Sequence, residues 1–336
     1  MSNSVNTEKM KMKRGKKVMI ALKILLGITC VLMLIGSILH NTYYKSKYDA
    51  IRPYGQMVAV EGKKMHVHSM GSGEDIIVLL PGMGIGLPSA DFGPLMRKLS
   101  EKYTVVCVEY FGVGFSDKTD TARTCENYVN ETREALLQAG FNGPYILMPH
   151  SISGIYSEYY ATKYPDEING IILLDSTSTA LYAEMPKIVS VVLPIAKFQQ
   201  SVGMISFLAT VTTSSKDLLA KGYTEKEIED LKTFAAFSFN DTIINQIKNQ
   251  MNYVKETIDL PFPKSVPVFK IISSQTIKAK APKTEMTGMA YQQAHLKRLG
   301  ENIPYKILEG SHFIYLSQIE EIARLTDDFL DDFEID

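Results

Sequence analysis

"MPHSISGIYSEYY", residues 148–160, places a serine between two runs of different character. The run before it, YILMP (145–149), is short and apolar and reads as a buried strand; the run after it, IYSEYYATKY (155–164), reads as a helix. Small or compact residues surround the serine: Pro149 before it, Ser153 and Gly154 after it. A serine hydroxyl is a poor nucleophile at neutral pH unless it is exposed and paired with a base. A tight strand-to-helix corner lifts the hydroxyl above the sheet edge, and only small neighbours let such a corner close. The first turn of the helix also leaves backbone N–H groups free to receive a developing oxyanion. Ser151 is therefore a candidate nucleophile.

Outward from this corner the same alternation repeats. Strand signals at MVAV (57–60) and KMHVHSM (64–70) lead to DIIVLLPG (75–82), YTVVCVEY (103–110) and INGIILLDS (168–176). Helical patterns, ADFGPLMRKLSEK (90–102) and ENYVNETREALLQAG (126–140), separate the apolar strands. Apolar strands alternating with amphipathic helices predict an α/β fold, a mostly parallel central sheet with helices on both faces. Residues 178–262 break the rhythm with helical, strongly apolar sequence such as IVSVVLPIAKF and GMISFLATV. After Pro261 and Pro263 it resumes with SVPVFKIISS (265–274), a helix near 284–299, IPYKIL (303–308) and a last helix over 316–332. The block reads as an insertion over the carboxyl edge of the sheet, where open α/β sheets bind ligands.

The amino terminus carries a different signal. KMKMKRGKK (9–17) precedes VMIALKILLGITCVLMLIGSILH (18–40), interrupted only by Lys23 and long enough to cross a bilayer. A cleaved signal peptide is the competing reading, but its apolar core is usually shorter, and the only small-residue site is Gly36/Ser37. The basic cluster predicts residues 1–17 in the cytoplasm, a single-pass membrane anchor over 18–40, and the catalytic body on the extracytoplasmic side. Residues 41–56 read as a stalk. The body is then 57–177 with 263–336 as core and 178–262 as a helical cap.

Charge and cysteine narrow the function. The first forty residues hold seven of 36 basic side chains and one of 37 acidic, leaving 29 against 36, or −7, for the body. An acidic body argues against nucleic acid as partner, because phosphate binding needs a basic face. Cys30, Cys107 and Cys125 are too few and too scattered for a disulfide framework. No metal-ligand spacing occurs and no cofactor motif is present; His66 and His68, alternating on one strand face, read as a surface pair.

Four segments in order resemble the α/β-hydrolase fold superfamily over residues 56–332. LLPGMG (79–84) resembles the loop after the third strand, and VEYFGVGFSD (108–117) the Asp-x-x-Gly-x-Gly-x-Ser stretch. PHSISG (149–154) resembles the nucleophile elbow, and EGSHFIYLSQIEEI (309–322) the segment bearing the base. The resemblance implies Ser151 as nucleophile, His312 as general base, and the backbone N–H groups of Met83 and Ile152 as the oxyanion hole. His150 falls where the family often has histidine, in a structural role. Pro149 departs from the usual glycine, and proline's fixed φ suits a strand end.

The acid departs further. The next-to-last strand ends in IISSQTIKAKAPK, with no carboxylate until Glu285. Asp175, at the end of GIILLD, would emerge on the same sheet edge as Ser151 and is the expected acid, with Glu285 the alternative. Ser151 excludes the aspartate nucleophile that family dehalogenases and epoxide hydrolases use. The expected function is a membrane-anchored serine hydrolase cleaving an ester of a fairly apolar small molecule, with Ile195, Phe198 and Phe207 of the cap as substrate-binding candidates. A peptidase or amidase remains open through Glu184, Glu225, Glu227 and Glu229 of the cap, as does a non-catalytic ligand-binding protein on the same fold.

Overall fold

In the computed structural model, which describes residues 2–181, 188–279 and 286–331, the body is built on an eight-stranded sheet. Its strands are β1 (Gln56–Val60), β2 (Lys63–Met70), β3 (Ile76–Leu80), β4 (Thr104–Glu109), β5 (Tyr145–Pro149), β6 (Ile168–Leu174), β7 (Val268–Ser273) and β8 (Tyr305–Leu308). They lie in the order β1-β2-β4-β3-β5-β6-β7-β8. β2 is antiparallel to both of its neighbours, and β4 through β8 are parallel, with Val78 beside Val106 and Leu80 beside Pro149. The expected mostly parallel sheet is thus the one observed.

Helices alternate with these strands. α1 (Ser2–Leu39) continues through a π-helical turn, His40–Tyr44, into α2 (Lys45–Ala50). α3 (Pro88–Asp91) and α4 (Gly93–Leu99) follow β3, α5 (Cys125–Gln138) follows β4, and α6 (Ser153–Lys163) follows β5. Between β6 and β7 lie α7 (Ile188–Ser201), α8 (Met204–Thr212), α9 (Ser215–Ala220), α10 (Glu225–Ala235) and α11 (Asp241–Thr257). α12 (Ser274–Lys278) and α13 (Gly288–Leu299) precede β8, and α14 (Ile319–Asp331) follows it.

Both faces of the sheet are covered, which is why its parallel strands are apolar throughout. Val78, Leu80, Val106, Val108 and Leu147 face α5 and α6, packing with Tyr128, Ile155 and Tyr156. Their strand neighbours Ile77, Leu79, Val105, Ile146 and Met148 face α4 and α14, packing with Leu95, Leu325 and Phe329. Cys107 and Cys125 are buried free thiols in these layers, and Cys30 is exposed on α1.

His66 and His68 are not a surface pair. Both are buried, because Tyr54 and Phe115 close over that face of β2. His66 Nε2 accepts from Gly55 N–H at 2.8 Å, and Nδ1 lies 3.0 Å from Glu109 Oε2. Glu109, at the end of β4, also accepts from Ser89 N–H at 3.0 Å, Ser89 O–H at 2.7 Å and Phe115 N–H at 2.7 Å. One buried carboxylate therefore ties together the loops that follow β3 and β4. Gly114, at φ +56°, makes room for it; a Cβ there would sit 1.9 Å from Glu109 Oε2. Gly114→Ala is expected to destabilise the fold by about 3 kcal/mol, from the strained φ and the clash. Thermal melting checks this, and an unshifted transition would contradict it.

The cap helices rest on the same loops. Asn240 Nδ2 donates to Gly112 O at 2.6 Å, and Thr119 N–H donates to Thr242 Oγ1 at 3.1 Å. Within 41–56, α2 and the chain after it dock on α10: Tyr48 packs against Phe234 at 4.8 Å, and Tyr54 O–H donates to Asp230 at 2.6 Å. The amino-terminal helix is thereby fixed to the cap.

Candidate active site

β5 ends at Pro149 and α6 begins at Ser153, so Ser151 occupies the turn between them, at φ +55°. A serine in this left-handed region is strained, and the surroundings hold it there. Ser151 N–H donates to Leu174 O at 3.2 Å, and Thr177 N–H donates to Ser151 O at 3.0 Å. Small residues allow the approach: a Cβ on Gly154 would sit 2.5 Å from Ser176 Cβ, and one on Gly82 would sit 3.0 Å from Ser151 Cβ. Ser153 O–H donates to Pro81 O, pinning the loop after β3 against the elbow. Met83 and Ile152 follow Gly82 and Ser151 in the chain. Among the described residues no protein acceptor takes either of their N–H groups.

Three side chains meet at this edge. His312, in the loop after β8, places Nε2 2.8 Å from Ser151 Oγ and Nδ1 2.7 Å from Asp175 Oδ2. An ionised Asp175 can only accept, so Nδ1 carries the proton and Nε2 is free to accept from the serine hydroxyl. Asp175 directly follows β6, at φ +43°, and is fully buried. Its Oδ1 accepts from Ser273 N–H at 2.8 Å, and Oδ2 also accepts from Thr276 O–H at 2.6 Å. The imidazole of His312 is 43% exposed, so the site opens to solvent on the side away from Asp175. Glu184 and Glu285 lie outside the described residues. Ile195, Phe198 and Phe207 are each half or more exposed on the outer cap. The structure does not pack them on Ser151. Of the other cap carboxylates, Glu227 is held by Arg97 at 2.6 Å, while Glu229 pairs with Lys47 at 3.0 Å.

His150 has a definite position. Its ring lies against that of His312, tilted by 43° with centroids 4.7 Å apart, and Nε2–H donates to His312 O at 2.9 Å. Burial, with His312 beside it, pushes the His150 imidazole down to about 3. Between pH 6.5, the ordinary histidine value, and that depressed value, the unfolded chain binds a proton that the folded chain refuses. Stability contributed by neutral His150 is thus complete above pH 6.5 and is lost as pH falls. The expected loss is about 2 kcal/mol between pH 6.5 and about pH 5. Melting temperatures across that range check this; a slope unchanged in His150→Gln would contradict it.

A second buried polar cluster gave no sequence signal, because its members are scattered along the chain. Glu158 Oε1 accepts from His295 Nε2 at 2.7 Å, while Oε2 accepts from Arg298 at 3.0 Å and Thr179 O–H at 2.6 Å. Lys270 Nζ meets His295 Nδ1, the other ring nitrogen, and burial pushes its ammonium down to about 7.

A strained serine at a strand-to-helix elbow, a histidine from the last loop and a buried aspartate define the class of site found in serine hydrolases of the α/β type. The sequence profile of the alpha/beta hydrolase fold family matches residues 75–195. The uncharacterized protein YbdG of Bacillus subtilis (strain 168) is 30% identical over 297 residues, 87% of this chain and 90% of YbdG. The 2-(acetamidomethylene)succinate hydrolase of Mesorhizobium japonicum is 34% identical over 113 residues, 34% of this chain and 39% of that enzyme. This chain therefore spans about two fifths of that relative. The enol-lactonase of Burkholderia xenovorans LB400 superposes with a TM-score of 0.59 at 18% identity, covering 82% of this chain and all of that one, a likeness of fold. The chain belongs to the α/β-hydrolase fold superfamily and is an enzyme of the hydrolase class.

Proposed function

We propose that the protein is a membrane-anchored serine hydrolase that cleaves an ester of a fairly apolar substrate through an acyl-enzyme. The observation that carries this reading is the unbroken Ser151–His312–Asp175 relay, at 2.8 and 2.7 Å, on an exposed sheet edge. Ser151 Oγ attacks the ester carbonyl as His312 Nε2 takes its proton. The imidazolium formed is stabilised by Asp175, and His312 then protonates the departing alcohol. The unclaimed N–H groups of Met83 and Ile152 serve as donors to the tetrahedral oxyanion. Water repeats the sequence on the acyl-enzyme and releases the acid.

The apolar character of the substrate is supported by the composition of the cap, which leaves Ile195, Phe198 and Phe207 as exposed apolar surface on its outer side. Anchoring is supported by one helix, Gly15–Ala50, long and apolar enough to cross a membrane. It leaves residues 1–17 in the cytoplasm and the body, 57–177 with 263–336 capped by 178–262, on the other side. Turnover of chromogenic esters of increasing acyl length by the full-length protein is the test. Preference for medium or long chains over acetate is expected. Hydrolysis of anilides in preference to every ester would contradict the reading.

A further inference from the structure

We infer that the cap is itself seated in the lipid bilayer: α7 lies along the membrane interface, and the turn between α7 and α8 dips into hydrocarbon beside α1. This rests on reading α1 as a membrane span.

The placement follows from how α8 meets α1. At one end Gly203 packs backbone to backbone on Gly36, where a Cβ on Gly203 would sit 2.4 Å from Gly36 O. Further along, Ser206 Oγ lies 3.1 Å from His40 Nδ1, and Thr210 shares a cleft with Tyr44. The two contacts and the shared cleft, advancing in step along both helices, set α8 alongside α1 in the same direction. α7 is bent 81° from α8, so it runs nearly perpendicular to α1 and hence along the membrane plane. The apolar run of α1 ends near Leu39, about two turns before the docked α2. Gly36 therefore lies about 5 Å inside the hydrocarbon edge, at the helical rise per residue. Whatever touches Gly36 lies at that depth as well.

The surface chemistry agrees. Val191, Val192, Ile195 and Phe198 form one stripe of α7 at helical spacing, each about half exposed. On its opposite side Leu193 is buried, Lys197 reaches Asp241 at 2.5 Å, and Gln200 accepts from Phe239 N–H at 2.9 Å. Lys197 is the only charged residue in 188–213, and it is drawn toward the body. Beside the turn, an apolar groove of about 520 Å³ opens between Leu32 and Met33 of α1 and Met204 and Phe207 of α8. Polar groups here are satisfied locally, as hydrocarbon requires: Ser201, Thr210 and Thr212 hydroxyls donate to carbonyls of their own helices. An amphipathic helix with a broad apolar stripe, continuous with a spanning helix, is covered by lipid. A cap in the leaflet suits an amphiphilic ester presented by that leaflet.

The chain contains no tryptophan, which makes the test direct. Single tryptophans are introduced by Phe198→Trp on α7, Leu32→Trp on α1 and Tyr305→Trp on β8, in full-length protein reconstituted in phosphatidylcholine vesicles. Lipids brominated on their acyl chains are expected to quench Phe198→Trp and Leu32→Trp several-fold more than Tyr305→Trp. Should Phe198→Trp fold poorly, Val192→Trp reads the same stripe. Quenching of Leu32→Trp with none on α7, whether the stripe is in water or against a second copy, overturns the inference and leaves the anchor standing. Absence of quenching at Leu32→Trp overturns anchor and inference together. Fluorophosphonate labelling of the same samples reports the hydrolase reading separately, since quenching needs no turnover.

Discussion

Ser151→Ala is expected to lower kcat on the preferred ester by roughly five to six orders of magnitude, and His312→Ala by nearly as much. In the proposed mechanism the serine supplies the attacking oxygen and the histidine, 2.8 Å away, removes its proton, so loss of either would abolish the same step. The double variant should therefore be hardly worse than either single one, because residues that act as a unit are not additive. Residual turnover would come from the backbone donors of the oxyanion hole. Steady-state kinetics on one ester settle the matter. Substantial activity in Ser151→Ala, or additive losses in the double variant, would contradict the mechanism.

Asp175→Asn should cost roughly ten thousand-fold in kcat while leaving the fold intact. Asparagine keeps the shape and can still accept from Ser273 N–H, which holds Oδ1 at 2.8 Å. What it cannot do is accept from His312 Nδ1 while its own NH₂ group points there. The imidazole then turns to the wrong tautomer and Nε2 can no longer take the serine proton. Glu285, the alternative acid on sequence grounds, is outside the described residues, and Glu285→Gln is expected to keep wild-type turnover. Both variants measured on one ester decide between them; a crippled Glu285→Gln beside an active Asp175→Asn would reassign the acid.

The parts of the site that follow from local patterning were legible in the sequence. Ser151 sits between a strand and a helix with small residues around it, and His312 follows Gly310 after the last strand signal. Asp175 was the expected acid because the usual position holds no carboxylate and its strand ends on the Ser151 edge, with Glu285 left as the alternative. The structure adds a reason: Ser273, the last residue of the strand after which an acid is usual, and Thr276, just beyond it, are donors to Asp175. Long-range pairs were not legible. Glu109 meets His66 only because β2 lies beside β4, and Glu158 meets His295 across 137 residues of chain. Alternation placed His66 and His68 on one face but could not say that Tyr54 and Phe115 cover it. The cap's apolar content was plain, whereas the direction of its stripe depends on the Gly36–Gly203 contact and the 81° bend.

Peptide mapping after reaction with a fluorophosphonate probe tests the central claim most directly. One equivalent of probe on Ser151, blocked by prior incubation with an ester substrate and absent in Ser151→Ala, is the expected result. Labelling at another residue, or none on folded protein that turns over ester, would contradict the account.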